Sequence, residues 1–564
     1  MNFLFLSRNA PKEIRGIRLQ DSQAAVYAAD GYSRSTGKIS VVLTFGLKEA
    51  FQAASALLTS WGDKQSIIVV NVIDFKKLDV VKDTYSAVVY SSYIADKIED
   101  TIKEISKIIY VKCPVQIIIS PNSDLTALIN EISDIEKDNI TTPVDEDSNN
   151  VEKVFDFLGK SINPIILLGS GAIKSILQGL LDVNSLSQIS EILASPILLT
   201  SSATCMPAKI WEDIKNNNKN ILQKIIPAGN IVWIRALASS DFILALGSSL
   251  SEVDWFGLKD LRLIRAKIVR VGLIESSKEI GNLFLKMEVG EFVKKFLLHS
   301  KSFTRNTTRI YKQRKSFGDW KKIIQKEAQR CENLDYIEPC FASFEIANRA
   351  KENTIFVSEG GACGMWLWSY LWFKPLVFPV QMGTIGVTIP MSIGAKIGNP
   401  DYDVWSVFGD GAFFYNIKEL KTVKELRLPI VFFVYNNSSW GAIRLGQNFV
   451  FLGRHIGTDL PSTDYAQIAK LYGCEGITVE KPKDLISAIE YAKGRKTPLV
   501  VDVKMIRGKD SVPYTGANFV IDEFDGVIKS VAPYIIVSSI LGFIRGRVPI
   551  NMIRPLVKMI MQRK

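Results

Sequence analysis

The stretch Val404-Trp405-Ser406-Val407-Phe408-Gly409-Asp410-Gly411 decides how this chain is read. Its apolar run has the length of a buried strand, and Gly409-Asp410-Gly411 supplies a tight turn at its end. Asn416 follows as an expected helix cap, with Ile417, Leu420, Val423 and Leu426 at helical spacing behind it. Pro429 opens a second apolar strand ending in Asn436-Asn437, twenty-four residues after the Gly-Asp-Gly turn. Strand, turn, helix, strand, turn brings both turns to one edge of a parallel sheet, the edge at which such sheets bind ligands. There Asp410 offers a carboxylate and Asn437 an amide oxygen, both hard ligands suited to Mg²⁺. Glycines let the backbone approach a phosphate closely, and a helix N-terminus favours its charge. The segment therefore predicts a diphosphate held through Mg²⁺.

The same α/β alternation extends outward, and 564 residues are enough for several domains. Residues 1–135 carry strand-like runs at 39–43, 66–72 and 115–119, separated by helical stretches at 24–32 and 49–58, which predicts a parallel sheet wound with helices. A polar, acidic interval, 136–150, reads as a linker. A central domain, 151–300, has strands at 164–168, 196–200, 242–246 and 267–271. Its Gly169-Ser170-Gly171 matches only part of a dinucleotide fingerprint and is read as an ordinary strand-to-helix turn. A basic helical connector, 301–330, leads to a third domain, 332–510, with strands at 354–357, 404–408, 429–435 and 499–503. Three doubly wound α/β domains are the expected fold, followed by a C-terminal extension, 511–564. In that extension no acidic residue follows Asp525, while Lys529, Arg545, Arg547, Arg554, Lys558, Arg563 and Lys564 are basic. The apolar, basic part, 527–564, fits a peripheral membrane or partner contact as well as a strap packed on its own subunit.

Composition narrows the class. The chain is 47% hydrophobic and 23% charged, as globular proteins are, with a net charge of +11. The basic residues are scattered among 58 acidic ones and form no block with aromatics, so nucleic acid is not an expected partner. Six cysteines lie far apart in sequence without a CxxC pair, which fits a reducing cytoplasm, and two histidines rule out a His-rich metal site. The N-terminus lacks the basic lead and cleavage site of a signal peptide. No apolar run reaches the roughly 20 residues needed to span a bilayer. The stretch 31–38 imitates a phosphate-binding P-loop, but its spacing is one residue too long and Ile39 replaces Ser/Thr. Trp366, Trp368 and Trp372 are expected in packing rather than at a substrate mouth, and His455 is expected at the surface.

Further motifs carry a family resemblance from about residue 10 to residue 507. Ala24-Ala25-Val26-Tyr27-Ala28-Ala29-Asp30-Gly31-Tyr32-Ser33-Arg34, Thr44-Phe45-Gly46 with Glu49, Ser358-Glu359-Gly360-Gly361, Gly383-Thr384-Ile385-Gly386 and the run Asn436 to Arg444 join the Gly-Asp-Gly…Asn-Asn spacing. Together they resemble the thiamine-diphosphate-dependent family of acetolactate synthase, pyruvate and indolepyruvate decarboxylases, benzaldehyde lyase and 2-hydroxyacyl-CoA lyase. The resemblance implies a pyrimidine-binding first domain, a central domain and a diphosphate-binding third domain. It implies a homodimer or tetramer with cofactor at the subunit interface, and a 2-oxo acid as small-molecule substrate. Asp410, Asn437 and the Ser439 carbonyl would hold Mg²⁺. Ile385 would be the wedge that bends the cofactor, and the Gly383 carbonyl would accept from its 4′-amino group. Gly360, Gly361, Gly383, Thr384, Ile385, Gly409, Gly411 and Ala412 would surround it. Whether the central domain holds FAD, another nucleotide or nothing stays open.

The chain also departs from that pattern. The family activates its cofactor with a glutamate nine residues before the glycine of the GYAR motif; here that position is Ser22, preceded by Asp21. Serine does not share a proton as a carboxyl does, so activation is expected to be weakened. The family's first strand and glycine turn are expected ahead of Met1, leaving the first domain N-terminally short. The decarboxylases' paired histidines give way to Tyr90-Ser91-Ser92-Tyr93, and Asn71-Val72-Ile73 lacks the glutamine of acetolactate synthases. The implied activity is a decarboxylase/carboligase of the acetolactate synthase type, a lyase or transferase; the alternative is a cofactor-binding subunit with weak or no catalysis.

Overall fold

The computed structural model describes residues 2–7, 14–74, 78–94, 98–106, 114–124, 127–128, 132, 148–217, 221–224, 236–237, 239–250, 266–274, 281–299, 308–372, 374–451 and 453–507. The extension from 511 onward, with the membrane-or-strap reading of 527–564, lies outside these. No described helix is long and apolar enough to cross a membrane.

Three six-stranded sheets organise the described residues. The first runs β2-β1-β3-β4-β6-β5. Its strands are β1 (Asn2–Ser7), β2 (Ile14–Arg18), β3 (Ser40–Phe45), β4 (Ile67–Val72), β5 (Ser91–Ile94) and β6 (Val115–Ile119). It corrects one expectation: β1 pairs antiparallel with both β2 and β3, so this sheet is not wholly parallel. The apolar patch at the N-terminus is thus a strand. The second sheet runs β12-β11-β10-β7-β8-β9. It contains β7 (Pro164–Leu168), β8 (Ile197–Leu199), β9 (Ile221–Lys224), β10 (Phe242–Leu246), β11 (Lys267–Gly272) and β12 (Leu283–Lys286). The third runs β14-β13-β15-β16-β18-β17. It contains β13 (Thr354–Ser358), β14 (Leu376–Val377), β15 (Asp403–Gly409), β16 (Ile430–Asn436), β17 (Glu475–Val479) and β18 (Leu499–Lys504). Its pairings are all parallel, and β16 is buried on both faces, as helix-covered parallel sheets require.

Seven helices matter for the site: α1 (Ser22–Thr36), α2 (Leu47–Gly62), α3 (Thr308–Gln329), α4 (Pro339–Arg349), α5 (Ala362–Tyr370), α6 (Thr388–Gly398) and α7 (Gly441–Val450). Asp21 caps α1 by accepting from the Ala24 amide at 2.7 Å. Gly37 ends it in a left-handed conformation, φ 73°, that glycine adopts without penalty. The apparent P-loop of 31–38 is therefore the last turns of this helix and its cap. Nearly every side chain of α1 is buried, because its outer side lies against α6. Two glycines make that approach possible: a Cβ on Gly394 would lie 1.8 Å from the Ala28 carbonyl oxygen, and one on Gly31 2.2 Å from that of Met391. Buried polar residues in the first sheet bond one another. The Asn71 amide donates to Thr44 and Tyr85 and accepts from Gln116, whose own oxygen accepts from Ser92.

A buried ion cluster joins the first and third sheets. The Arg34 guanidinium pairs with Asp30 and with Asp63, the latter at 2.8 Å, and donates to the Phe378 carbonyl at 3.0 Å. Asp63 also accepts from the Val380 and Gln381 amides, and Ser60 donates to Asp30. Arg34→Met should leave two carboxylates buried without their cation and cost about 3–5 kcal/mol. Urea unfolding followed by tryptophan fluorescence checks this; an unchanged midpoint would show that the cluster contributes nothing.

Candidate functional site

Three strand ends of the third sheet, those of β13, β15 and β16, form one edge, and the chain turns there into helix or loop each time. A cavity of about 180 Å³ opens at this edge. Its walls include Glu359, Gly360, Gly361, Gly383 and Ile385; Gly409, Asp410, Gly411 and Ala412; and Asn437, Ser439 and Trp440. Sequence spacing alone had brought the Gly-Asp-Gly and Asn-Asn turns together, and here they share one pocket.

Asp410 sits at the centre of the electrostatics. Its Oδ1 accepts from the Gly411 amide at 2.8 Å, and its buried Oδ2 has no hydrogen-bond partner among the described residues. Burial pushes its carboxyl up to about 6, partly offset by the amides of Gly411, Ser438 and Ser439. A buried carboxylate oxygen without a partner, in a pocket, is what a bound cation would satisfy. The two asparagines divide the work of their turn. Asn436 donates to the Thr463 carbonyl and to Asp502, locking the bend, while Asn437 lines the pocket. Among the described residues no group of three or more His, Cys, Asp or Glu is placed to hold a metal. The protein's share of a cation's ligands would thus be one carboxylate, one amide and backbone oxygen, leaving room for phosphate oxygens. Glycines clear that room: a Cβ on Gly361 or Gly383 would meet nothing within 4 Å. The residues present fit a Mg²⁺-bound diphosphate.

The loop 383–387 is held from several sides. Glu359 Oε2 accepts from the Gly386 amide at 2.8 Å, the Val387 amide at 3.2 Å and the Thr388 hydroxyl at 2.8 Å. Asn416 donates to the Gly386 carbonyl at 2.6 Å, and the Thr384 and Thr59 hydroxyls bond at 2.7 Å. These contacts present Ile385 to the pocket, 37% exposed, although it is a large aliphatic residue.

Two expectations change here. Asn416 is not a helix cap; it lies within a 3-10 segment at φ −129°, and its amide secures the Gly386 carbonyl instead. Thr384 does not line the pocket, because its hydroxyl is turned to Thr59. Neither Ser22 nor Asp21 lines it in the single chain. Ser22 is fully buried, and the Asp21 carboxylate caps α1 and pairs with Lys418. Trp366 and Trp368 are core residues, Trp368 packing on Phe378 with centroids 4.5 Å apart. His455 bonds Asn448 away from the pocket.

Sequence reasoning quoted Glu359 in a motif without giving it a role. Its signal was a charged residue between a strand end and two glycines. Trp440 was also missed; its ring lies where a Cβ on Gly411 would fall, at 2.5 Å. The wall formed by Tyr336, Ile337, Glu338 and Pro339 had no signal at all.

In the central domain a second cleft opens between β7 and β10, where the strand order reverses. Gly169-Ser170-Gly171 lies there, but the Gly171 amide donates to the Gly247 carbonyl at 2.9 Å, as in a packed turn.

The fold and pocket together define a protein of three α/β units with a glycine-walled pocket at the strand ends of the third. Two family models match: the N-terminal thiamine pyrophosphate binding domain over residues 2–73 and the C-terminal one over residues 359–503. Both ends of the chain are thus similar to the binding domains of thiamine pyrophosphate enzymes. It is 26% identical over 535 residues to the acetolactate synthase large subunit of Haemophilus influenzae, covering 89% of each chain. It is 21% identical to acetolactate synthase of Arthrospira platensis, over 89% of this chain and 88% of that one. Among solved structures, a thiamine diphosphate-dependent 4-hydroxybenzoylformate decarboxylase from Rhodococcus jostii RHA1 superposes with a TM-score of 0.64 at 18% identity, over 87% of this chain and 92% of that one. That likeness concerns the fold.

Glu359 yields a test with a definite sign. Burial pushes its carboxyl from the ordinary 4.5 up to about 7. A raised carboxyl favours the fold while protonated, so its contribution is full below the ordinary range and is lost as pH rises through about 7. Glu359→Gln should therefore flatten the fall in apoprotein stability between about pH 4.5 and 7. Parallel denaturation of both proteins across that range decides; identical slopes would remove Glu359 as the source.

Proposed function

We propose that the chain binds thiamine diphosphate through Mg²⁺ in the third-domain pocket and acts on 2-oxo acids as a decarboxylase/carboligase of the acetolactate synthase type. The observation that carries this reading is the buried, unpartnered Oδ2 of Asp410 within a glycine-walled pocket. Asp410, Asn437 and the Ser439 carbonyl are the proposed cation ligands. Gly360, Gly361, Gly409, Gly411 and Ala412 are the proposed diphosphate surface. Bound there, the cofactor supplies an electron sink for breaking the bond beside the substrate carbonyl. The chain's own residues do the remaining work. Glu359 holds the loop that presents Ile385 and Gly383, and Ile385 supplies an apolar surface for the cofactor's bend. Exposed Phe51 and Leu58 on α2, with Met382, Phe414 and Tyr415, support a homodimer in which a second copy covers apolar side chains of this kind.

A second reading has its own observation. Ser22 stands where the family's activating glutamate would be, and the neighbouring Asp21 carboxylate is already engaged by the Ala24 amide and Lys418. On that reading the chain binds the cofactor but turns over feebly.

Titration of apoprotein with thiamine diphosphate should show saturable binding that requires Mg²⁺, weakened about tenfold or more in Asp410→Ala. Equal binding by both proteins would sink the assignment of Asp410. Release of CO₂ from a panel of 2-oxo acids separates the two readings of activity. Ser22→Glu should raise turnover by about 10²-fold where proton transfer limits the reaction; an unchanged rate would mean that the missing glutamate is not the limiting defect.

A further inference from the structure

Cys331 and Cys340 are nine residues apart and form no recognisable motif, yet their sulfurs lie 3.7 Å apart. Cys331 sits in the turn after α3, half-buried, and Cys340 is the second residue of α4, buried beneath it. An S–S bond is about 2.05 Å long, so the two sulfurs need approach by only about 1.7 Å to join. Between them runs the segment that includes Tyr336, Ile337, Glu338 and Pro339, the wall of the third-domain pocket that sequence reading missed. The base of that wall is therefore closed by two touching thiols.

We propose that Cys331 and Cys340 form a reversible dithiol–disulfide pair that sets the position of this pocket wall and so couples cofactor affinity to the thiol redox state. The half-exposed Cys331 is the attacking sulfur. A hydrogen bond from Cys340 lowers the Cys331 thiol below its ordinary range, while the same bond and burial raise that of Cys340. A low-molecular-weight disulfide such as glutathione disulfide is the oxidant. The Cys331 thiolate attacks one of its sulfurs, breaking that S–S bond and releasing one glutathione as thiolate. Cys340 then loses its proton and attacks the Cys331 sulfur, displacing the second glutathione. Two protein thiols are oxidised and one small disulfide is reduced to two thiols. Drawing the sulfurs together shifts the segment between them, so the oxidised protein holds the cofactor less tightly. Linkage requires the converse: bound cofactor disfavours the disulfide by the same factor.

Both cysteines lie on one tryptic peptide, residues 331–349, with no Lys or Arg between its ends. In a glutathione redox series, mass spectrometry of that peptide should show loss of two hydrogens, reversed by dithiothreitol. Only a glutathione adduct on Cys331, or no change, would overturn the pair. The coupling rests on the thiamine diphosphate reading; its test is cofactor titration of reduced and oxidised protein, with affinity expected to fall about fivefold or more on oxidation. Cys331→Ser should bind like reduced wild type and not respond to oxidant. Equal affinity in both redox states, or the same loss in Cys331→Ser, would overturn the coupling. Failure of the reduced protein to bind cofactor at all would instead sink the functional reading and leave the peptide result standing.

Discussion

The buried guanidinium of Arg34 is the constraint on which the rest of the architecture turns. A cation removed from water is tolerable only when its charge and donors are matched, and Asp30, Asp63 and the Phe378 carbonyl match them. Because Asp63 also accepts from the Val380 and Gln381 amides, the cluster anchors the chain just ahead of Gly383. The loop that follows is then caught between two domains. Thr59 holds Thr384 from the first, while Glu359 and Asn416 hold Gly386 from the third. Immediately afterwards α6 begins, and α1 packs on it through facing glycines. Ile385 is presented to the pocket by this whole arrangement rather than by any contact of its own.

Much of the fold was legible because strands covered by helices on both faces must be continuously apolar. The runs at 115–119, 164–168 and 242–246 coincide with β6, β7 and β10, and the others differ only at their ends. Strands that are short or lie at a sheet edge left no such signal: β14 has two residues, and β5 and β9 four each. The antiparallel β1 was passed over because a six-residue apolar patch at a terminus does not reveal its partner. In the site, residues on strand-end turns could be paired by spacing, which is how Asp410 and Asn437 were found. Those that approach from elsewhere could not. Tyr336 to Pro339 reach the pocket through the packing of α3 and α4, and Trp440 through a contact with a glycine.

Asn416 shows how a correct local rule yields to tertiary demand. An asparagine before an amphipathic run is a good helix cap because its side chain satisfies an end amide. Here the Gly386 carbonyl needs a donor in a buried loop, and leaving it unpaired would cost more than an uncapped end that a 3-10 turn can absorb. Thr384 was displaced from its expected place by a similar demand, since its hydroxyl and that of Thr59 satisfy each other across the interface.

The same accounting bears on Ser22. A carboxylate at the buried start of α1 would need a proton or a partner, because the burial that hides Ser22 would penalise its charge. Nearby, Glu419 already sits buried, accepting from the Gln20 amide and Thr422, with its carboxyl pushed up to about 7 by burial. Lys418 is committed to Asp21. A glutamate at position 22 would thus bring a second buried acid beside the first in the isolated chain, with Lys418 already engaged elsewhere. Serine avoids that conflict. In an assembly where a cofactor nitrogen faced this position, a protonated carboxyl would find its acceptor there, and the conflict would become useful. The residue that the fold tolerates best in one chain and the one that best activates a cofactor between two chains are therefore different, and here the sequence carries the former.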